Sequence, residues 1–289
     1  VISIRKFRVV SLTVGTYDLF WELDDTVEDA LDYAFTVERS ESPGGPWDVV
    51  SQPFRDKYMF RDMSVPGVNK WRQLFYRVKI EGAAGTAYSG LATQEAQPDL
   101  SATEARRMMN LVLKEGIGRV VWLFPVRTFG TRCPVCFDPV LGKRVSSNCL
   151  SCYGTGYARG FMAPLATYLR IDPTERADQL GQVVTQQQTT RAHTAYYPLV
   201  KPRDVLVEAE NRRWRVVSSQ APERLRAPIW QGLTLHEIPP TDIEYRLPIN
   251  IDDLRRVQPS PERAFTNPQT PDEAGSRLAT LFDVFRSYG

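Results

Sequence analysis

Lys201-Pro-Arg203-Asp204-Val-Leu-Val207-Glu208 runs on into Asn211-Arg-Arg-Trp214-Arg-Val216-Val217. Two alternating stretches flank a short polar turn at Ala209 to Arg212, the pattern of an antiparallel hairpin with one face in a core. Similar stretches lie on both sides of it: Arg119 to Phe124, Phe161 to Ile171, Gly181 to Thr185, Thr189 to Tyr196 and Ile229 to Ile238. Short strands in this number predict a β-barrel-like domain over residues 98–247. A non-strand segment at residues 131–160 interrupts it.

That segment holds every cysteine of the chain: Cys133, Cys136, Cys149 and Cys152. They form two Cys-x-x-Cys pairs separated by a twelve-residue spacer, residues 137 to 148. Each pair can put two thiolates on one tight turn, and the spacer lets the turns face each other. Four sulfurs at about 2.3 Å then complete a tetrahedron around zinc. Pro134 and Asn148 suit the turns, and Gly154 and Gly156 permit positive φ after the last ligand. Two disulfides are the competing reading, disfavoured by a reducing cytoplasm and the paired spacing. A redox Cys-x-x-Cys would need one pair in a βαβ setting. Structural zinc is the expectation, since four thiolates leave no position for a catalytic water. Cys149-Leu-Ser-Cys152-Tyr-Gly154-Thr-Gly156 resembles one repeat of the zinc module in bacterial Hsp40-type co-chaperones. The first pair lacks those glycines, so the resemblance concerns knuckle geometry and not chaperone activity.

Upstream, residues 1–97 read as short strands with turns between them. Tyr17 to Leu23 carries a candidate core Trp21, and Tyr33 to Arg39 alternates with period two. Ser42-Pro-Gly-Gly-Pro46-Trp47 is a hairpin connection, and Gln73 to Ile80 turns through Glu81 to Gly85 into Thr86 to Gly90. Trp21, Tyr33, Phe35 and Tyr76 are expected in the core. The order of Trp21, the strand Tyr76-Arg-Val78 and the closing Tyr88-Ser89 resembles a fibronectin type III domain. The resemblance implies a β-sandwich that acts as a spacer or adhesive surface.

Ser101-Ala-Thr-Glu104 reads as a capping box opening a helix to about Glu115. Ala105, Met108, Met109, Val112 and Leu113 form its apolar stripe, with the Met pair as core filler. Beyond Leu247 the chain reads as an extended arm, residues 248–289, broken by Pro248, Pro259, Pro261, Pro268 and Pro271. Arg277 to Tyr288 can form a short helix with Leu278, Leu281, Phe282 and Phe285 on one face. Docking on another subunit is the expected use of such an arm.

The composition sets the remaining bounds. In 289 residues, 42% are hydrophobic and 24% charged, with a formal net charge of +2. That near-neutrality gives no ground for nucleic-acid or anionic-membrane binding. No run of about 18 apolar residues offers a membrane span. Val1 to Val10 alternates apolar and basic residues and lacks a signal-peptide core. No phosphate loop, dinucleotide turn or nucleophile elbow occurs. His193 and His236 read as packed or surface imidazoles, and Asp24-Asp25 and Asp252-Asp253 as solvated turns. Arginines 203, 212, 213, 215, 224 and 226, offset by Asp204, Glu208, Glu210 and Glu223, read as an exposed mixed-charge face.

The 201–217 hairpin, with its acidic start and aromatic second strand, resembles the small barrels of tailed-phage head-completion and neck proteins. The resemblance implies a non-enzymatic virion structural protein, made in the host cytoplasm, forming a ring in the neck or collar that joins head to tail. Its partners would be copies of itself and other virion proteins: connector, tail or sheath components. A tail or baseplate component is the alternative of the same class. A zinc-ribbon nucleic-acid-binding protein using the 203–226 arginines, or a carbohydrate-processing enzyme with an accessory fibronectin-like domain, are alternatives of other classes.

Overall fold

A computed structural model describes residues 2–13, 15–24, 30–65, 72–94, 100–172, 176–177, 188–221, 223–224 and 227–259. The expected strand at 181–185, the linker around Pro98, Asp25, Arg226 and the expected helix at 277–288 lie outside them. Of the described residues 43% lie in strands, so the protein is mainly β.

Eight strands come first: β1 (Ile4–Thr13), β2 (Thr16–Leu23), β3 (Ala34–Ser40), β4 (Asp48–Val49), β5 (Met59–Asp62), β6 (Phe75–Gly82), β7 (Gly85–Tyr88) and β8 (Ala92–Thr93). One sheet has the order β1-β2-β5, and a second has the order β4-β3-β6-β7 with β8 also paired to β6. Alternation on β2 turns Tyr17, Leu19, Trp21 and Leu23 to one side, where all four are buried in a core shared with Phe35, Val37, Tyr76 and Val78 of the other sheet. The Trp21 ring lies 6.2 Å from Phe35, and Tyr17 lies 5.7 Å from Tyr76. The expected core aromatics Trp21, Tyr33, Phe35 and Tyr76 are all buried.

The opposite face of β2 is covered as well. Asp18 accepts from Arg61 Nε at 2.7 Å, and the Arg61 guanidinium lies 4.0 Å from the centre of the Tyr197 ring. Tyr197 follows a strand of the second half, so this buried ion pair joins the two halves of the chain.

A helix, α1 (Leu100–Leu111), passes into a π-turn at Val112–Ile117. It is already helical at Leu100, ahead of the expected cap at Ser101, and Glu104 pairs instead with Arg107 at 2.7 Å. Its packing also differs from the expected stripe. Of that stripe Leu113 is buried, Ala105 and Met109 are half-buried, and Met108 and Val112 are exposed, while Ala102, Thr103, Arg106 and Asn110 are also buried. The Arg106 guanidinium lies 4.5 Å from the Tyr196 ring centre, so a stacked cation occupies the inward face.

The remaining strands are β9 (Arg119–Phe124), β10 (Phe137–Asp138), β11 (Lys143–Arg144), β12 (Leu165–Ile171), β13 (Arg176–Ala177), β14 (Gln188–Ala195), β15 (Val205–Glu208), β16 (Arg213–Gln220), β17 (Glu223–Arg224), β18 (Ala227–Pro228) and β19 (Trp230–Glu237). Six of them run β12-β9-β15-β16-β19-β14, and a further β12–β14 pairing closes the ring into a barrel. Closure leaves these strands no free edge. Val121, Leu123, Leu169, Leu206, Trp214, Val216, Leu233 and Leu235 form its interior core. Buried polar side chains of the barrel find partners across it. Glu208 accepts from Trp214 Nε1 at 2.5 Å and from Arg119 at 2.6 Å, and the Thr167 and Thr194 hydroxyls meet at 3.0 Å.

Alternation also turns Trp122, Phe124, Val205 and Val207 outward, and they are buried too. The segment after β19 covers them: a 3-10 turn (Ile243–Arg246), Leu247, α2 (Ile251–Leu254) and Val257. Arg213 donates to the carbonyls of Tyr245 and Leu247, and Arg215 pairs with Glu244 at 2.6 Å and Asp242 at 2.8 Å. The expected exposed mixed-charge face is therefore corrected. Arg213, Asp204 and Glu208 are buried, and the arginines pin the chain that follows the barrel. Asp252 and Asp253 sit in the first turn of α2, which Asn250 caps by accepting from the Asp252 N–H at 3.1 Å.

Candidate metal centre

Between β9 and β12 the chain leaves the barrel and returns beside itself. Single antiparallel bridges join Val126 to Phe161 and Arg132 to Tyr157, so entry and exit run side by side. The base is fixed at both walls. Arg127 donates to Asp56 Oδ1 at 2.5 Å and its backbone N–H donates to Gly160 O at 2.9 Å. Phe129 meets the Tyr58 ring edge-on at 4.9 Å and belongs to the core of the first two sheets. The Val126 N–H donates to Asp204 Oδ1 at 2.8 Å. Asp204 also accepts from the Lys201 N–H at 2.7 Å, and burial pushes its carboxyl up to about 7 against these bonds.

Beyond this base the module has little core of its own. β10 and β11 form a hairpin whose turn is held by Asp138 Oδ1, accepting from the Val140 and Leu141 N–H groups at 2.8 and 3.2 Å. The centre consists of the four expected cysteines, all buried. Their sulfurs lie within 4.8 Å of one another. The short separations cross between knuckles, 3.8 Å for Cys133–Cys149 and 3.4 Å for Cys136–Cys152. A tetrahedron with metal–sulfur bonds of about 2.3 Å has edges of about 3.8 Å. A disulfide would bring two sulfurs to about 2.05 Å, and all four cysteines are free thiols.

The backbone is folded around the sulfurs. The Val145 N–H donates to Cys136 O at 2.8 Å, and the Cys133 N–H donates to Gly156 O at 3.0 Å. Gly154 has φ +74°, and a Cβ there would lie 2.8 Å from Ser147 O. Gly160 has φ +70°, and a Cβ there would lie 2.5 Å from Cys152 O. Both positions therefore need glycine. Burial disfavours the Cys133 thiolate, but the N–H groups of Val135 and Cys136 outweigh it and bring the thiol down to about 7. Burial holds the Cys136 and Cys152 thiols up. A cation between the sulfurs would favour their thiolate forms. The donor set fits a metal ion of tetrahedral, sulfur-loving preference, with no position left for water.

The two histidines lie apart from this chemistry. His193 Nε2 is 3.1 Å from Asp172 Oδ2 and its ring packs edge-on against Trp230 at 4.5 Å. Neither histidine joins a group of metal-binding side chains among the described residues. Missing from the sequence reading are the apolar side chains on the outside of the module. Val135, Val140, Leu141, Val145 and Leu150 are all exposed. Their presence in a polar twelve-residue spacer and between the paired cysteines is the available signal. No protein-family model matches the chain, and no curated protein matches it at a significant level.

Proposed function

We propose that the chain is a non-enzymatic structural protein of a tailed-phage virion, forming a ring in the neck or collar that joins head to tail. The observation that carries this reading is the way the rigid base supports an outward-facing module. A closed barrel, with its outer wall covered by residues 242–257, holds a four-cysteine insertion at both ends and presents apolar side chains from it. Such an arrangement suits a protein that fits between others. Zinc is the metal we assign to the centre, on the strength of four thiolates at tetrahedral spacing.

The finer assignment of the first unit is a fibronectin type III-like sandwich. Its support is the strand order, β1-β2-β5 facing β4-β3-β6-β7, with Trp21 on the second strand and Tyr76 on β6. Residues 248–289 serve as the assembly arm, beginning in the stretch laid along the barrel and ending in the apolar 277–288 segment. Head-to-tail contacts between identical copies close into a ring by rotation. Three of the 203–226 arginines are engaged within the chain, which counts against the nucleic-acid reading. Arg212 is committed to Glu237 at 2.8 Å, and Arg213 and Arg215 to the chain after the barrel.

Mass measurement of the assembled state under native conditions, with zinc quantified on the same sample, tests this reading. A closed oligomer with one zinc per chain is expected. A monomer at all concentrations, or a chain without stoichiometric zinc, would refute it.

A further inference from the structure

The two strands that carry the four-cysteine module are wedged between the halves of the molecule. Val126 and Phe161 belong to the covered outer wall of the barrel, whereas Phe129 and Met162 belong to the core of the first two sheets. Two buried ion pairs lie at this junction. Asp18–Arg61 is one, with its guanidinium against the Tyr197 ring. Asp56–Arg127 is the other, and of the two it alone has a partner on the module's ribbon. That ribbon is continuous from the joint to the sulfurs. The Met162 N–H donates to Pro125 O and the Arg127 N–H to Gly160 O, both at 2.9 Å. Further out the Ala158 N–H donates to Thr131 O at 2.9 Å and the Cys133 N–H to Gly156 O at 3.0 Å.

Between the inner and outer pairs of these bonds the register slips, with residues 128–130 facing Arg159 alone. The slip uses left-handed backbone: Gly130 has φ +94°, Arg159 +65° and Gly160 +70°. An arginine in that region persists only where its surroundings over-determine it. Here the Cys152 knuckle does so. The Arg159 N–H donates to Ser151 O at 3.1 Å, and Cys152 O lies 2.5 Å from where a Cβ on Gly160 would be. The path from sulfur to joint is therefore short. Cys152 backs Gly160, Gly160 O receives the Arg127 N–H, and the Arg127 guanidinium holds Asp56, itself at φ +56°. We propose that this ribbon couples the four-cysteine centre to the joint between the halves, so that a metal on the sulfurs and Arg127 on Asp56 each stabilise the other's seat. With the cysteines unligated, the Cys152 knuckle no longer backs the slip, Arg159 relaxes toward negative φ, and Arg127 loses its alignment with Asp56. The halves then stay joined at the Asp18–Arg61 end, which becomes a hinge. The coupling requires a metal at the sulfurs and does not require the ring.

Zinc competition against a chromogenic chelator, on the full chain, compares the parent with Asp56→Asn and Asp18→Asn. Asparagine keeps the side-chain shape and tolerates the left-handed backbone at position 56. Because coupling between sites is reciprocal, Asp56→Asn should raise the zinc dissociation constant by about fivefold or more. Asp18→Asn damages the other ion pair, which shares no partner with the ribbon, and should leave that constant within about twofold of the parent. The reverse direction needs no variant. Removing zinc from the parent should quicken amide exchange at Ala163, whose N–H donates to Asp56 O at 3.2 Å. Exchange at Val50, whose N–H donates to Val37 O within the first sheets, should not change. Zinc affinity that is unchanged in Asp56→Asn, or lowered equally by Asp18→Asn, overturns the coupling. Exchange at Ala163 that ignores zinc overturns it as well. A parent chain that binds no zinc overturns it together with the metal assignment.

Discussion

From Arg119 to Ile171 the chain lays down one barrel strand, leaves to form the four-cysteine module, and returns to pair with the strand it left. The two regions solve the same problem in opposite ways. The barrel strands pair all round, and their side chains alternate between an interior core and a covered outer wall. The module has two-residue strands, exposed valines, and a centre made only of sulfur. A small insertion buries little apolar area with which to order its own backbone, and a metal held by the four sulfurs would supply the difference. The barrel's stability is therefore distributed, while the module's is concentrated at one point.

That contrast is broken most directly at the sulfurs. Replacing Cys149 with Ser is expected to abolish stoichiometric metal binding, with a local loss on the scale of about 10 kcal/mol seen for small zinc modules. Hydrogen exchange should show residues 131–158 losing protection while β15, β16 and β19 keep theirs. Equal loss in the barrel strands would show that the module is not a separately stabilised unit. Chelation of the parent protein should reproduce the pattern.

The converse change is in the barrel. Trp214 is 1% exposed, and its indole N–H is held by Glu208. Trp214→Ala should cost about 3–5 kcal/mol of global stability through the cavity left behind, and leave a buried carboxylate short of a donor. Chemical denaturation followed at metal stoichiometry should show the midpoint falling with the metal still bound. Early metal release would mean that the two regions fail together.

How much of this contrast can be read from the sequence depends on how far apart the partners lie. The four-cysteine site is legible because its ligands and turn residues are local. The strands at 119–124, 205–208, 213–220 and 230–237 are legible because alternation survives in them. β1 keeps its alternation, with Arg5, Lys6 and Arg8 on the exposed side, whereas β5 is hidden because a four-residue strand containing Arg61 and Asp62 does not look buried. Both charges are neutralised by distant partners, Arg61 by Asp18 and Asp62 by Arg39 and Tyr76. The inward face of α1 escapes the sequence for the same reason, since the surface that buries Arg106 lies at Tyr196. The anchor between Asp56 and Arg127 leaves no local trace.

Asp204 links the two regions, holding Val126 at the module's root and Lys201 at the barrel's end loop. Asp204→Ala leaves two N–H groups without an acceptor and should cost about 2–4 kcal/mol. The same group gives a pH signature. Burial pushes its carboxyl up to about 7, so at low pH it is neutral in both folded and unfolded chains. As pH rises past about 4 the unfolded chain ionises first, and stability should fall by about 1.4 kcal/mol per pH unit until about 7. Denaturation midpoints from pH 4 to 8 would check the sign, and the slope should vanish in Asp204→Ala. A slope that survives the substitution assigns the titration elsewhere.

The smallest effect sharpens the comparison within the barrel itself. Arg213 and Arg215 both hold the segment after β19, but from different depths. Arg213 is buried and serves two carbonyls, whereas Arg215 is about one-third exposed and faces Asp242 and Glu244. Water and salt already screen the second pair, so Arg215→Ala should cost only about 0.5–1 kcal/mol globally. Its local effect should be larger, because the 3-10 turn loses the contacts that seat it. Amide exchange at residues 243–257 should quicken with the rest of the barrel unchanged, and added salt should speed the parent toward the variant. Arg213→Ala should quicken exchange in the same segment further, and by an amount that salt does not change, since the two carbonyls it leaves behind are shielded from water. If both variants respond alike to salt, the segment is held by charge alone and not by the apolar wall of Trp122, Phe124, Val205 and Val207 beneath it.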